Sequence, residues 1–266
     1  MTKEKKGVNI STKYILKYLG QNKINELSCY VKEVEKRGCY SFKTIEEVKN
    51  TLGELVEEFV YSLTENELSS LRYYTGYNFR NINNTLRRNW NYEENGLLTQ
   101  EKIKEYEKLC YEIRKIIEKF PSLNMDLITY RGVNIRAFKD YGINDISELD
   151  YLKGNYIYEP GFTSTSLFRN NSFFIKEPEW GGECDIEIEY YIAKESQDGA
   201  LLLNNEISYA TSQTEYVINS GSLSLITDVD IDYETKKAKL KAVLIPKKLW
   251  STYNKDKEKA NNVIKM

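Results

Sequence analysis

The feature that most constrains this chain is a change in the period of its apolar residues near Pro121. Before that point apolar residues return every three or four positions, as on one face of a helix; after it they alternate or come in short runs, as in strands. Residues 11–19 and 22–37 read as two short amphipathic helices, the second with Ile24, Leu27, Val31 and Val34 on one face, closed by Gly20 and Gly38. Thr44-Ile45-Glu46-Glu47 and Thr64-Glu65-Asn66-Glu67 are capping boxes, in which a hydroxyl and a carboxylate satisfy free amides of the first turn. They open helices that turn Val48, Leu52, Leu55, Val56 and Phe59, then Leu68, Leu71, Ile82 and Leu86, inward. A last helix over 99–120 carries Ile103, Tyr106, Cys110, Ile113 and Ile117, and Pro121 stops it. Strands are expected over 126–131, 161–166, 184–192, 200–203, 215–218, 223–232 and 238–245, with a hairpin turn at 232–236. The tail after Trp250, rich in lysine and asparagine, is expected to fray. Helices that precede strands, instead of alternating with them, predict an α+β fold and exclude a doubly wound parallel sheet.

The chemistry is bounded by one count: among 266 residues there is no histidine. That removes Ser-His-Asp and Cys-His nucleophilic catalysis and His-based zinc sites, leaving carboxylates, Arg, Lys, Tyr, amides and hydroxyls. Cys29, Cys39, Cys110 and Cys184 are scattered without a CxxC pair, so they read as buried thiols, not as a metal site. A net charge of -2 does not describe a strong electrostatic nucleic-acid binder, and no stable nucleic-acid complex is expected. No segment has the apolar length of a membrane span, and no apolar run follows the basic start to make a signal peptide.

Four polar motifs remain: Asn83-x-x-Leu86-Arg87 on a helix, Tyr130-Arg131-Gly132 at the end of an apolar strand, Gly161-Phe162-Thr163-Ser164-Thr165-Ser166, and Gln213-Thr214-Glu215 entering another strand. Singly each reads as ordinary surface or sheet chemistry; Asn83 and Arg87 share a helix face only because they are four apart. On one strand Gln213 and Glu215 would face the same way, and so would Ser164 and Ser166.

In this order the motifs resemble those of the Arg-Ser-Glu class of mono-ADP-ribosyltransferases, most closely the single-domain Rho-modifying exoenzymes of clostridia and bacilli, relatives of the catalytic halves of binary toxins. The resemblance runs from about Ser41 to Pro246 and implies an N-terminal helical extension over 1–39 and a catalytic domain over 40–266. It implies two packed, mostly antiparallel sheets that form an NAD cleft, with NAD as substrate and no metal. By the same resemblance Arg131, Gly132, Asn83 and Arg87 bind NAD, Phe173 meets the nicotinamide, and Arg169 or Lys176 reaches a phosphate. Glu215 is the catalytic carboxylate and Ser164 holds it in one rotamer.

Within the superfamily a glutamate at the position of Gln213 goes with arginine acceptors, and a glutamine with asparagine, glutamine or guanine. An amide offers both donors and an acceptor to another amide. Gln213 and the exposed aromatic Tyr209 therefore imply recognition of an asparagine, or glutamine, of a host Rho-type GTPase. Tyr209 lies four residues before Gln213, one more than expected for the Rho-modifying group. The alternatives are the same chemistry on a guanine base or on another protein such as actin, and an inactive relative that serves as a binding module. The resemblance further implies a monomer, a secreted toxin that acts in the host-cell cytosol and is cytoplasmic before release.

Overall fold

The computed structural model describes residues 10–87, 99–169, 184–208 and 211–250. The two helices expected at the start are present end to end within α1 (Ile10–Arg37), and they meet at Gly20, whose φ of 71 and ψ of 164 are not helical. Gly38, at φ 73, closes it. Thr44 caps α2 (Ile45–Tyr61) by accepting from Glu47 N. Both halves of the second capping box form at the start of α3 (Glu65–Tyr73). A π-helical turn, Tyr74–Asn78, leads from there into α4 (Phe79–Arg87), and α5 (Gln100–Ile117) follows.

Eight strands follow among the described residues: β1 (Leu127–Val133), β2 (Tyr156–Glu159), β3 (Thr163–Ser166), β4 (Ile186–Ile192), β5 (Gly199–Leu201), β6 (Glu215–Ile218), β7 (Ser222–Asp232) and β8 (Lys237–Leu244). A short helix α6 (Lys247–Trp250) ends the described chain. Their order is β2-β7-β8-β4-β1-β3-β6-β5, and only β4 and β8 run parallel. β2 has no counterpart in the sequence reading; its four residues are too few to show a period. Two 3-10 segments, Ile135–Tyr141 and Ile146–Leu152, were likewise not foreseen.

The seam between β1 and β3 decides where a site can form. The two strands share one residue pair, Tyr130 opposite Ser166, and then part. A five-stranded half and a three-stranded half are thereby joined at a single point, which realises the two expected sheets within one hydrogen-bonded order. Among the described residues three apolar clusters cover the two halves. Helices α2 to α5 pack Leu52, Val56, Leu71, Ile82 and Ile113 against Phe162, Tyr216 and Val217 of the three-stranded side. On the five-stranded half, Leu240 and Ala242 face Phe138 and Leu149 of the 3-10 segments. On the other face Val243 and Leu223 meet Leu27, Val31 and Val34 of α1, with Trp250 of α6.

Candidate active site

The polar motifs converge at this seam. At the π-helical turn the chain kinks where Gly76 leaves helical geometry at φ -79 and ψ -142, and Tyr74, 2% exposed, meets the ring of Phe162 edge-on at 5.3 Å. Asn83, 8% exposed, accepts from Phe162 N at 2.7 Å. One turn later Arg87 donates through Nε to Glu159 Oε1 at 2.9 Å, and Gly161 N donates to the same oxygen at 2.7 Å. Helix α4 is thus clamped, through two polar residues, to the turn that feeds β3.

On the strand side, Ser164 Oγ donates to Glu215 Oε1. Arg131 reaches across the parting strands and donates from Nη1 to Ser164 O at 3.0 Å. Gly132 follows Arg131 on β1, opposite Glu187 of β4. The carboxylate, the hydroxyl and the guanidinium expected to share a cleft are therefore joined by hydrogen bonds in one chain of contacts. Burial raises the pKa of Glu215 above the usual carboxylate range, and the Ser164 hydroxyl and Arg131 pull it back toward the charged form. Burial also raises Tyr74; the nearby Glu215 adds to that shift, and Arg131, Asn83 and Arg87 oppose it. Tyr190 of β4 is pushed up to about 12, by burial first, with Arg131, Glu159 and Arg87 all acting on it. The buried Tyr74 and the half-buried Tyr190 thus feel the same small set of charges, which the hydrogen bonds of α4, β1, β2 and β6 bring together.

Gln213 corrects the strand reading. It ends a 3-10 turn, Thr211–Gln213, and Thr214 then takes a left-handed backbone at φ 48, so β6 begins only at Glu215. The two side chains do not share a strand face, because a positive φ at a β-branched residue interrupts the pleat. Instead Ser166 Oγ lies 2.8 Å from Gln213 O and 3.0 Å from Thr214 Oγ1, and Leu167 N donates to Thr214 O at 3.0 Å. The second serine of the motif fastens the glutamine turn, while the first holds the glutamate. Upstream, Thr75 Oγ1 donates to Ile207 O at 3.0 Å and Arg72 to Glu206 O, so the loop before Gln213 is tied to the π-helical turn.

Arg169 pairs with Glu187, at 2.7 Å and 3.1 Å. Phe173, Lys176 and Tyr209 lie outside the described residues. Sequence reasoning missed Tyr74 and Glu159; the one signal for Glu159 was an acid two residues before the glycine of the Ser-Thr-Ser motif. Among the described residues no group of His, Cys, Asp and Glu is arranged to hold a metal, and no helix is long and apolar enough to cross a membrane.

No curated protein matches the chain by sequence. Among solved structures the chain is similar to the Clostridium limosum C3 exoenzyme, with a TM-score of 0.59 at 21% identity over 78% of this chain and 98% of that one. It is similar to C3stau2 from S. aureus, solved with NAD, with a TM-score of 0.57 at 17% identity over 78% and 99%. The ADP-ribosyltransferase toxin Plx2a from Paenibacillus larvae gives 0.59 at 22% identity over 77% and 98%. These likenesses show a shared fold. The family model for the ADP-ribosyltransferase exoenzyme matches residues 43–247, which span all four motifs, and the chain therefore belongs to that family of mono-ADP-ribosyltransferase toxins, for which NAD is the substrate.

Proposed function

We propose that this protein transfers ADP-ribose from NAD to an asparagine, or glutamine, side chain of a host Rho-type small GTPase. The observation that carries the reading is the linked set Arg131, Ser164 and Glu215 at the seam between the two half-sheets. Breaking the nicotinamide–ribose bond sends the bonding electron pair to nicotinamide and leaves oxocarbenium character on the ribose. A fixed carboxylate stabilises that charge only if it is ionised when the bond breaks. Burial opposes ionisation of Glu215, and Ser164 and Arg131 offset part of that opposition. Ser164 also removes the freedom of the carboxylate, so the charge is aimed before the substrate arrives. Arg87 and Arg131 bind the pyrophosphate, for which guanidinium is the fitting donor, and Asn83 sets the turn beneath it.

Gln213 selects the acceptor. Its amide pairs with the acceptor amide, whose nitrogen then attacks the ribose carbon and loses a proton. The glutamine and the C3 names of the structural neighbours support a Rho-type acceptor over arginine on actin. The protein is secreted and works inside the host cell, in keeping with the exoenzyme family.

The test uses labelled NAD with host-cell lysate and, separately, NAD alone. Glu215→Gln is expected to abolish transfer and NAD hydrolysis together. Gln213→Ala is expected to lose transfer and keep most of the hydrolysis. Full transfer by both variants would refute the site, and label that disappears on nuclease treatment would move the acceptor to a nucleic-acid base.

A further inference from the structure

Glu159 has no part in the mechanism above, yet it stands between two of its components. It is the last residue of β2, and one of its oxygens, Oε1, accepts from Arg87 Nε and from Gly161 N. Electrostatics alone argues against a carboxylate at this place. It neutralises part of the positive charge that a pyrophosphate needs, and it repels the incoming anion. A compensating gain must come from geometry. Glu159 engages the Nε edge of the guanidinium, and among the described residues no hydrogen bond or ion pair is made by the two Nη groups, with Nη2 turned to the Gly161 side, 3.3 Å from where a β-carbon there would stand. A long side chain fixed at one edge loses less rotamer freedom when its ligand binds. The same oxygen also holds Gly161 N, so Arg87 and the turn that feeds β3 are set by one group.

We propose that Glu159 is a positioning residue: it holds Arg87 by the Nε edge and so presents the remaining guanidinium nitrogens to the pyrophosphate of NAD. This rests on Arg87 being a phosphate arm, as proposed above. Its role is in binding, not in bond cleavage, because it touches neither Glu215 nor Ser164.

The experiment measures KM and kcat for NAD hydrolysis by the full chain, with thermal melting, for Glu159→Ala, Glu159→Gln and Arg87→Ala. Glu159→Ala is expected to raise KM about tenfold, equivalent to ~1.4 kcal/mol, with kcat within about twofold. Glu159→Gln, which keeps an oxygen acceptor for both donors, is expected to bring KM back to within about threefold of wild type. If Glu159→Ala does not fold, Glu159→Asp replaces it; one methylene shorter, it cannot hold both donors, and KM is again expected to rise. A lowered melting temperature with unchanged KM would overturn the proposal, since that is what a purely structural role gives. A fall in KM for both Glu159 variants would overturn it too, since the carboxylate would then be a competitor for the anion site. An unchanged KM for Arg87→Ala would refute the phosphate-arm reading itself; a raised KM for Arg87→Ala beside an unchanged one for Glu159→Ala would refute only the role of Glu159.

Discussion

Gly161→Ala is the sharpest probe of how the site is built. A β-carbon on Gly161 would stand 2.9 Å from Asn83 Oδ1, 3.0 Å from Glu159 Oε1 and 3.3 Å from Arg87 Nη2. None of the three atoms can retreat freely. Asn83 Oδ1 is held by Phe162 N, and Glu159 Oε1 is held by Arg87 and by Gly161 itself. Overpacking of this kind costs ~1–3 kcal/mol, and losing one of the neutral hydrogen bonds adds ~1 kcal/mol. Gly161 does not use a left-handed backbone, so alanine meets no strain there and recovers ~0.4–1 kcal/mol from the unfolded chain. The net loss is ~1–3 kcal/mol, or a fall in melting temperature of roughly 2–10 °C for a chain of this size. NAD binding suffers more, because the displaced atoms belong to the proposed dinucleotide contacts. One charge-assisted hydrogen bond lost is worth ~1.5–3 kcal/mol, so KM for NAD should rise at least tenfold. Initial-rate NAD hydrolysis and thermal melting read the two effects separately. Gly53→Ala is the control: inside α2, with nothing near its β-carbon, it should raise the melting temperature and leave KM alone. A wild-type KM for Gly161→Ala would refute the idea that α4 and the 159–161 turn form the floor of the NAD site.

Two further outcomes follow from burial. Because burial raises the pKa of Glu215 in the folded chain, its contribution to stability is greatest when it is protonated and is lost as the pH rises through the folded value. Glu215→Gln, which does not titrate, should therefore melt above wild type at neutral pH, with the advantage shrinking in acid; melting curves across pH check this, and an advantage that grows in acid would contradict it. Leu27→Ala in α1 opens a fully buried position and should cost ~2–5 kcal/mol with an unchanged KM for NAD, measured by melting and hydrolysis. A negligible loss would mean that α1 is an appendage and not part of the core.

The residues that carry chemistry were legible because each sits in a short local pattern. An asparagine and an arginine four apart, an arginine closing an apolar strand, and serines in alternation are all visible without long-range contacts. The caps of α2 and α3 were legible for the same reason, since Thr44 and Thr64 bond within their own first turns. What escaped depends on partners distant in sequence. Glu159 matters through Arg87, 72 positions away, and Arg169 is occupied by Glu187 across the seam. The π-helical turn escaped because a lone glycine such as Gly76 inside a helical pattern does not by itself mark a break. The start of β6 at Glu215 was legible, but the shared face of Gln213 and Glu215 was inferred from strand alternation, and the left-handed backbone of Thr214 places a turn there instead.

That turn has a consequence for how the two steps of the proposed reaction are divided. Had Gln213 and Glu215 stood on one rigid strand, a change at either would move the other, and acceptor binding and bond cleavage would fail together. Here Glu215 is fixed from β3 by Ser164, and the Gln213 turn is fixed independently by Ser166, two residues along the same strand. Thr214 lies between them at a left-handed φ of 48, fully buried and itself held through Oγ1 by Ser166 and through its carbonyl by Leu167 N. Removing the Gln213 side chain therefore leaves the Ser164 contact that orients Glu215 intact. This separation is the physical reason to expect Gln213→Ala to spare hydrolysis. Were Gln213→Ala to lower hydrolysis as far as Glu215→Gln does, the two serines would not be independent anchors, and the turn would have to be treated as part of the catalytic strand.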